Sequence, residues 1–148
     1  MQGMKTITLT TLEELSTLAK DVLATVPEKK EATVLALQGD LGVGKTAFTK
    51  VLAKHLGIVG EITSPTFVIM KSYQIPAHPY FKSLIHIDAY RIEEDDEMRV
   101  LGFQELLTHP ENLIVVEWPE RIEALIPEDA HHLHFTLTGT TRTITYGD

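Results

Sequence analysis

Thr33-Val34-Leu35-Ala36-Leu37-Gln38-Gly39-Asp40-Leu41-Gly42-Val43-Gly44-Lys45-Thr46 is the stretch on which the fold turns. Its first five residues form a short apolar run, the pattern of a strand buried on both faces. Gly39 to Thr46 then match G-x-x-x-x-G-K-[ST] in full. The chemistry behind that spacing is demanding. The main chain has to wrap a phosphate closely enough to aim several N–H groups at it, and glycines remove the side chains that would stand in the way. A helix predicted from about Lys45 to His55, stopped by Gly57, points its positive end at the same anion. The Lys45 ammonium can reach outer phosphates, and the Thr46 hydroxyl is placed to ligate magnesium. The bare pattern also fits a glycine-rich turn with no ligand. The strand before it and the helix after it are the context that favours a phosphate loop.

Outward from this loop, strands and helices alternate. Lys5 to Leu9 is β-branched and alternating, so a strand is expected. Thr11 with Glu14 three residues later has the form of a capping box, and Leu12, Leu15, Leu18, Val22, Leu23 and Val26 recur at helical spacing after it. Phe67 to Tyr73 reads as a strand, Pro76 to Pro79 as a turn, and Leu84 to Ile87 as a second buried strand ending at Asp88. The acidic run Glu93 to Glu97 is expected to open one helix continuing to about Leu107. Leu113 to Val116 is a third buried strand, ending at Glu117, and Glu120 to Leu125 a short helix. Leu133 to Leu137 and Arg142 to Tyr146, flanking Gly139-Thr140-Thr141, read as a closing hairpin. Such alternation predicts an α/β domain with a largely parallel sheet.

The 148 residues fit one domain, spanning residues 1–148. A chain this size buries about 70% of its unfolded surface, enough for a core without staples. At 43% apolar and 23% charged residues, wholesale disorder is excluded. The net charge of −8 argues against a surface that wraps a nucleic-acid duplex, which needs clustered cations, but leaves room for action through a partner. With no cysteine, disulfides, thiolate metal sites and cysteine nucleophiles are ruled out. No apolar run approaches the roughly 18 residues needed to span a bilayer, and the N-terminus has no signal pattern, so a cytoplasmic protein is expected.

A phosphate cradle binds; hydrolysis also needs an acid near magnesium and a group that orients water. Open parallel sheets place their sites at the carboxyl ends of strands. Asp88 and Glu117 each end a buried strand. If both strands run parallel to Thr33–Leu37, the two carboxylates converge on the phosphate end. Either acid could instead merely cap a helix, since Trp118-Pro119 follows Glu117. Thr63-Ser64-Pro65-Thr66 sets three hydroxyls on a loop of the kind that senses a γ-phosphate, or forms a plain polar turn.

These motifs together carry a family resemblance. Gly39 to Thr46, then Ser64-Pro65-Thr66-Phe67, His86-Ile87-Asp88-Ala89-Tyr90-Arg91, Leu101-Gly102-Phe103 with Glu105, and Val116-Glu117-Trp118 occur in this order. The chain resembles the TsaE (YjeE) family of small bacterial ATPases from about Thr11 to Arg142. The fold this implies is a P-loop NTPase-like three-layer α/β sandwich, with a mostly parallel central sheet and a C-terminal antiparallel hairpin. The resemblance implies an ATP- and Mg2+-dependent role in making threonylcarbamoyladenosine in tRNA. It further implies binding to a TsaB–TsaD heterodimer that is reset by ATP hydrolysis, with tRNA reached only through that complex and no membrane involved. By the same resemblance, Gly39 and Leu41, Gly42, Val43, Gly44, Lys45 and Thr46 bind phosphates. Thr46 and Glu117 are the magnesium ligands, and Asp88 is the acid that holds a water. Thr66 is the switch residue, Trp118 packs beside the nucleotide, and Thr11 and Arg142 approach it from the two ends of the chain. Lys45, Thr66, Asp88 and Glu117 form the catalytic set, with Asp88 added to Thr46 and Glu117 near the metal. Ala47 departs from the family, where a second threonine is common.

Other features have plainer readings. His132 and His134 share a strand face beside His131 but lack a carboxylate at matching spacing, so a solvated face is favoured over a metal site. His86 shares a sheet side with Asp88, to orient a water or simply to pack. Arg91 could act on the γ-phosphate in cis or dock a partner. A small-molecule kinase is disfavoured, since Asp88 to Leu107 holds only Arg91 and Arg99 where a kinase lid is arginine-rich. A GTPase is disfavoured because no N-K-x-D-like segment is present. A nucleotide-gated binding subunit without turnover uses the same groups and stands beside the ATPase.

Overall fold

The computed structural model describes residues 5–40, 44–63 and 69–147. Along the chain run β1 (Lys5–Leu9), α1 (Leu12–Thr25), β2 (Thr33–Gln38), α2 (Lys45–His55), β3 (Met70–Gln74), β4 (Ser83–Asp88), α3 (Asp95–Val100), α4 (Phe103–Leu107), β5 (Asn112–Glu117), a 3₁₀ helix (Pro119–Leu125), β6 (His131–Thr138) and β7 (Thr141–Gly147). The seven strands form one sheet in the order β1-β7-β6-β2-β5-β4-β3.

Four central strands, β6, β2, β5 and β4, are mutually parallel. The apolar runs of β2, β4 and β5 explain their place: both faces of these strands are covered. One face, built from Leu35, Leu37, Leu84, Leu113 and Val115, packs on α1 and α2 through Leu18, Phe48 and Leu52. The other, built from Val34, Ile85, Ile87, Ile114 and Val116, packs on Met98, Phe103 and Ile122 of α3, α4 and the 3₁₀ helix. Helices therefore lie against both sides of the sheet.

The sheet is less parallel than the sequence suggests. Both edges are antiparallel, with β3 against β4 on one side and β7 and then β1 on the other. The predicted closing hairpin exists, but β6 pairs parallel to β2, so the hairpin lies inside the sheet and β1 forms the rim. Its two-residue turn is opened by Gly139, whose φ of 63° only glycine adopts easily.

Two predicted boundaries change. The helix expected from the acidic run to Leu107 is two short helices, because Gly102 takes φ 80° between them and ends the first. Of the predicted Phe67–Tyr73 strand, β3 occupies Met70–Gln74, while Phe67 and Val68 lie outside the described residues. The capping box does form. Thr11 Oγ1 accepts from the Glu14 N–H at 3.2 Å, and the Glu14 carboxylate accepts from the Thr10 N–H and from both threonine hydroxyls. Those bonds, led by the one from the Thr10 main chain, hold the Glu14 carboxyl below its ordinary range.

Candidate functional site

Parallel pairing brings the carboxyl ends of β2, β5 and β4 to one edge of the sheet. Leu37 stands opposite Glu117, and Glu117 opposite Asp88. β1 ends at the same edge and β7 begins there, with Leu9 and Leu137 both in register with Arg142. Segments distant in sequence thus meet around the start of α2.

Two glycines shape the chain before that helix. Gly39 has φ 148° and Gly44 φ 102°, conformations that side chains rarely tolerate. A Cβ on Gly44 would also lie 3.2 Å from Arg142 Nε, so the arginine side chain lies across the entry to α2. Arg142 Nε is buried and has no hydrogen-bond partner among the described residues.

Lys45 is buried at 4% exposure, unusual for an ammonium. Its Nζ donates to the Gly39 carbonyl at 2.6 Å and sits 3.8 Å from the centroid of the Trp118 ring. Burial pulls the Lys45 ammonium below its ordinary range, opposed by the charges of Glu117, Glu120, Asp88 and Asp40. The ammonium is thus held by a carbonyl, an aromatic face and nearby carboxylates.

Thr46 Oγ1 donates to the Glu117 carboxylate, 3.2 Å from Oε2 and 3.4 Å from Oε1. Glu117 and Asp88 are both buried. Asp88 Oδ1 accepts from the Tyr90 N–H at 3.0 Å, which fixes the carboxylate as the chain leaves β4. A hydroxyl and a carboxylate side by side are hard oxygen donors suited to Mg2+, which usually takes only one or two protein ligands and completes its shell with water and phosphate oxygens. The fit is one of partial coordination. Among the described residues no group of three or more His, Asp or Glu could hold a metal ion. His132 and His134 are both exposed on β6.

Of the residues singled out from sequence, Gly39, Gly44, Lys45, Thr46, Asp88, Glu117, Trp118 and Arg142 come to this one edge. Thr11 lies at the same edge, but its hydroxyl caps α1. Leu41, Gly42, Val43 and Thr66 lie outside the described residues. Arg91 lines an open groove with Tyr90, Ile92, Glu93 and Arg121.

Three features were not legible beforehand. His86 is fully buried, and its Nε2 lies 2.6 Å from Glu117 Oε2. The H-x-D alternation placed His86 on the right face, but not against Glu117. Trp118 is held in left-handed backbone at φ 59°, ψ 50°, directly before Pro119. That conformation costs a side-chain-bearing residue roughly 1–2 kcal/mol. It turns the indole over Lys45 and beside Tyr90, ring centroids 5.0 Å apart, with Arg121 over the far ring. The Trp118-Pro119 pair pointed only to a possible helix start after Glu117, not to this conformation.

Sheet, helix-start and site together define an α/β protein of P-loop-like fold. The crystal structure of YdiB from Bacillus subtilis superposes with a TM-score of 0.76 and 31% identity, covering 99% of this chain and 86% of that one. The family model described as "Threonylcarbamoyl adenosine biosynthesis protein TsaE" matches residues 9–144, and the chain belongs to the TsaE family. Relatives named tRNA threonylcarbamoyladenosine biosynthesis protein TsaE include one from Bacillus subtilis, 42% identical over 79% of this chain and 68% of its own length. Another, from Borreliella burgdorferi, is 35% identical over 75% of this chain and 78% of its own. No helix among the described residues is long and apolar enough to cross a membrane.

Proposed function

We propose that this chain is a Mg2+-dependent ATPase that serves tRNA N6-threonylcarbamoyladenosine formation in the cytoplasm by binding, and resetting through ATP hydrolysis, a TsaB–TsaD complex. The observation that carries the reading is the 3.2 Å contact between the Thr46 hydroxyl and Glu117, beside buried Lys45 and in register with Asp88. Membership of the TsaE family supplies the pathway.

In this mechanism the main chain from Gly39 to Thr46 encloses the ATP phosphates. Lys45 leaves the Gly39 carbonyl and turns its ammonium to the β- and γ-phosphates, an exchange of a neutral acceptor for an anionic one. Thr46 and Glu117 would hold Mg2+, which when bound offsets the charge between the β- and γ-phosphates. Asp88 accepts a hydrogen bond from the attacking water and aligns it behind the γ-phosphorus. The water oxygen bonds to that phosphorus, the bond to the β,γ-bridging oxygen breaks, ADP leaves as the in-line partner, and the water's protons go one to the released phosphate and one to solvent. Thr66 senses the γ-phosphate, Trp118 and Arg142 bound the nucleotide on two sides, and Thr11 borders it from the end of β1. The acidic surface, with a net charge of −8, suits a switch that leaves tRNA to its partners.

The test is a pull-down with TsaB–TsaD in ATP, in ADP and without nucleotide, paired with single-turnover phosphate release. Nucleotide-dependent association and release accelerated by the complex are expected, with both lost in Lys45→Ala. Association without any release would make the chain a nucleotide-gated binding subunit. Phosphate delivered to a small-molecule acceptor would make it a kinase. Failure to associate in every nucleotide state would remove the assigned partner.

A further inference from the structure

His86 is an imidazole where the sheet has no room for one to be idle. It lies in β4 among Leu84, Ile85 and Ile87, with no exposure to solvent. A carboxylate can only accept, so Nε2 must be the nitrogen that carries hydrogen toward Glu117 Oε2, 2.6 Å away. Nδ1 is buried and has no hydrogen-bond partner among the described residues. Among the described residues the ring is therefore held by one polar contact, and a buried polar atom left unsatisfied calls for an explanation.

Glu117 is the meeting point. Its Oε2 takes both the His86 N–H and the shorter contact from Thr46, while Oε1 has only the 3.4 Å contact. A glutamate has three side-chain torsions, and a single partner at one oxygen would leave the carboxylate free to swing. With His86 and Thr46 both bonded to Oε2, the carboxylate is held at that oxygen, and Oε1 carries only the longer contact from Thr46. We propose that His86 is the positioning residue for Glu117, setting the carboxylate so that its second oxygen is presented to Mg2+ beside Thr46. This rests on the magnesium role given to Glu117 above. Groups that orient a metal ligand in this way, without touching the metal, typically change metal affinity 10- to 100-fold when lost.

The two ring nitrogens can be separated by substitution. Glutamine carries its amide nitrogen as far along the side chain as Nε2, and asparagine carries its own where Nδ1 stands. Leucine keeps the bulk and offers no donor. The protein has one tryptophan, Trp118, over Lys45, so its fluorescence reports the site directly. The experiment titrates Mg2+ into each variant with ATP, reads Trp118, measures ATP binding in EDTA, and records the thermal midpoint.

His86→Gln is expected to stay within about threefold of the wild-type Mg2+ half-saturation. His86→Asn and His86→Leu are expected to need about 10- to 100-fold more Mg2+, with ATP binding in EDTA unchanged in all three. If His86→Leu does not fold, the Gln and Asn pair carries the comparison. An unchanged half-saturation in folded His86→Leu or His86→Asn overturns the inference, as does a His86→Gln that behaves like the donor-free variant. A wild-type protein with no Mg2+ response at all instead removes the metal role of Glu117, and the inference with it.

Discussion

Replacing Gly44 with alanine tests the backbone geometry at the entry to α2. At φ 102° the residue is in territory that costs a Cβ roughly 1–2 kcal/mol. The new methyl would stand 3.2 Å from Arg142 Nε and 3.3 Å from its Cδ, closer than carbon ordinarily comes. Arg142 can withdraw, but each atom pair it gives up loses about 0.1–0.2 kcal/mol of dispersion, so its retreat adds a few tenths. The sum is a loss of about 2 kcal/mol, close to a 30-fold fall in the folding constant. Urea unfolding followed through Trp118 measures it, in Gly44→Ala, Arg142→Ala and the double variant. Most of the deficit should persist when Arg142 is already gone, because backbone strain is the larger part. A Gly44→Ala protein within about 0.5 kcal/mol of wild type would refute the left-handed assignment. A deficit that disappears in the Arg142→Ala background would move the cause from backbone to side chain. ATP binding should weaken in Gly44→Ala regardless, since Gly44 is the residue that enters α2 directly before Lys45.

Two further outcomes concern the scaffold. His78 Nδ1 accepts the N–H groups of Tyr80 and Phe81 at 3.3 and 3.1 Å, and burial first, then the Lys82 charge, keep the imidazole below its ordinary range. The folded state thus prefers neutral His78. Its contribution is complete above the unfolded value of about 6.5 and is lost as pH falls through the lowered folded value. The thermal midpoint should drop on acidification through that window, and less so in His78→Asn, whose carbonyl accepts without titrating; matching pH profiles would reject this. Phe48 is fully buried and meets Phe135 edge-on with centroids 5.8 Å apart, so Phe48→Ala should cost about 3–5 kcal/mol in denaturant unfolding, and a loss under 1 kcal/mol would show that α2 does not dock as described.

What could be read in advance follows from which forces are local. The strand ends at Asp88 and Glu117 were legible because a buried apolar run followed by an acid is a pattern within one segment. Their convergence needed only the assumption of parallel pairing. The N-cap at Thr11 was legible for the same reason. The break at Gly102 was missed because a lone glycine inside a helical pattern is often tolerated, and the chain turns there only because α4 must pack Phe103 beside Met98. The antiparallel hairpin of β6 and β7 was legible, but its pairing with β1 was not, because that is a contact across nearly the whole sequence. The His86–Glu117 bond and the stacking of Lys45, Trp118 and Tyr90 join residues from different segments, and nothing in any single segment announces them.

The placing of β1 has a consequence for how the molecule is made. Lys5 pairs with Tyr146, and among the described residues β1 has no other strand beside it. At translation speeds of about 5–20 residues per second, the first strand to leave the ribosome waits roughly 7–30 seconds for its only neighbour. Arg142, which covers the glycine turn at the head of α2, emerges in that same late stretch. The rim pairing of β1 with β7 and the placing of Arg142 beside Gly44 are therefore among the last steps open to the nascent chain.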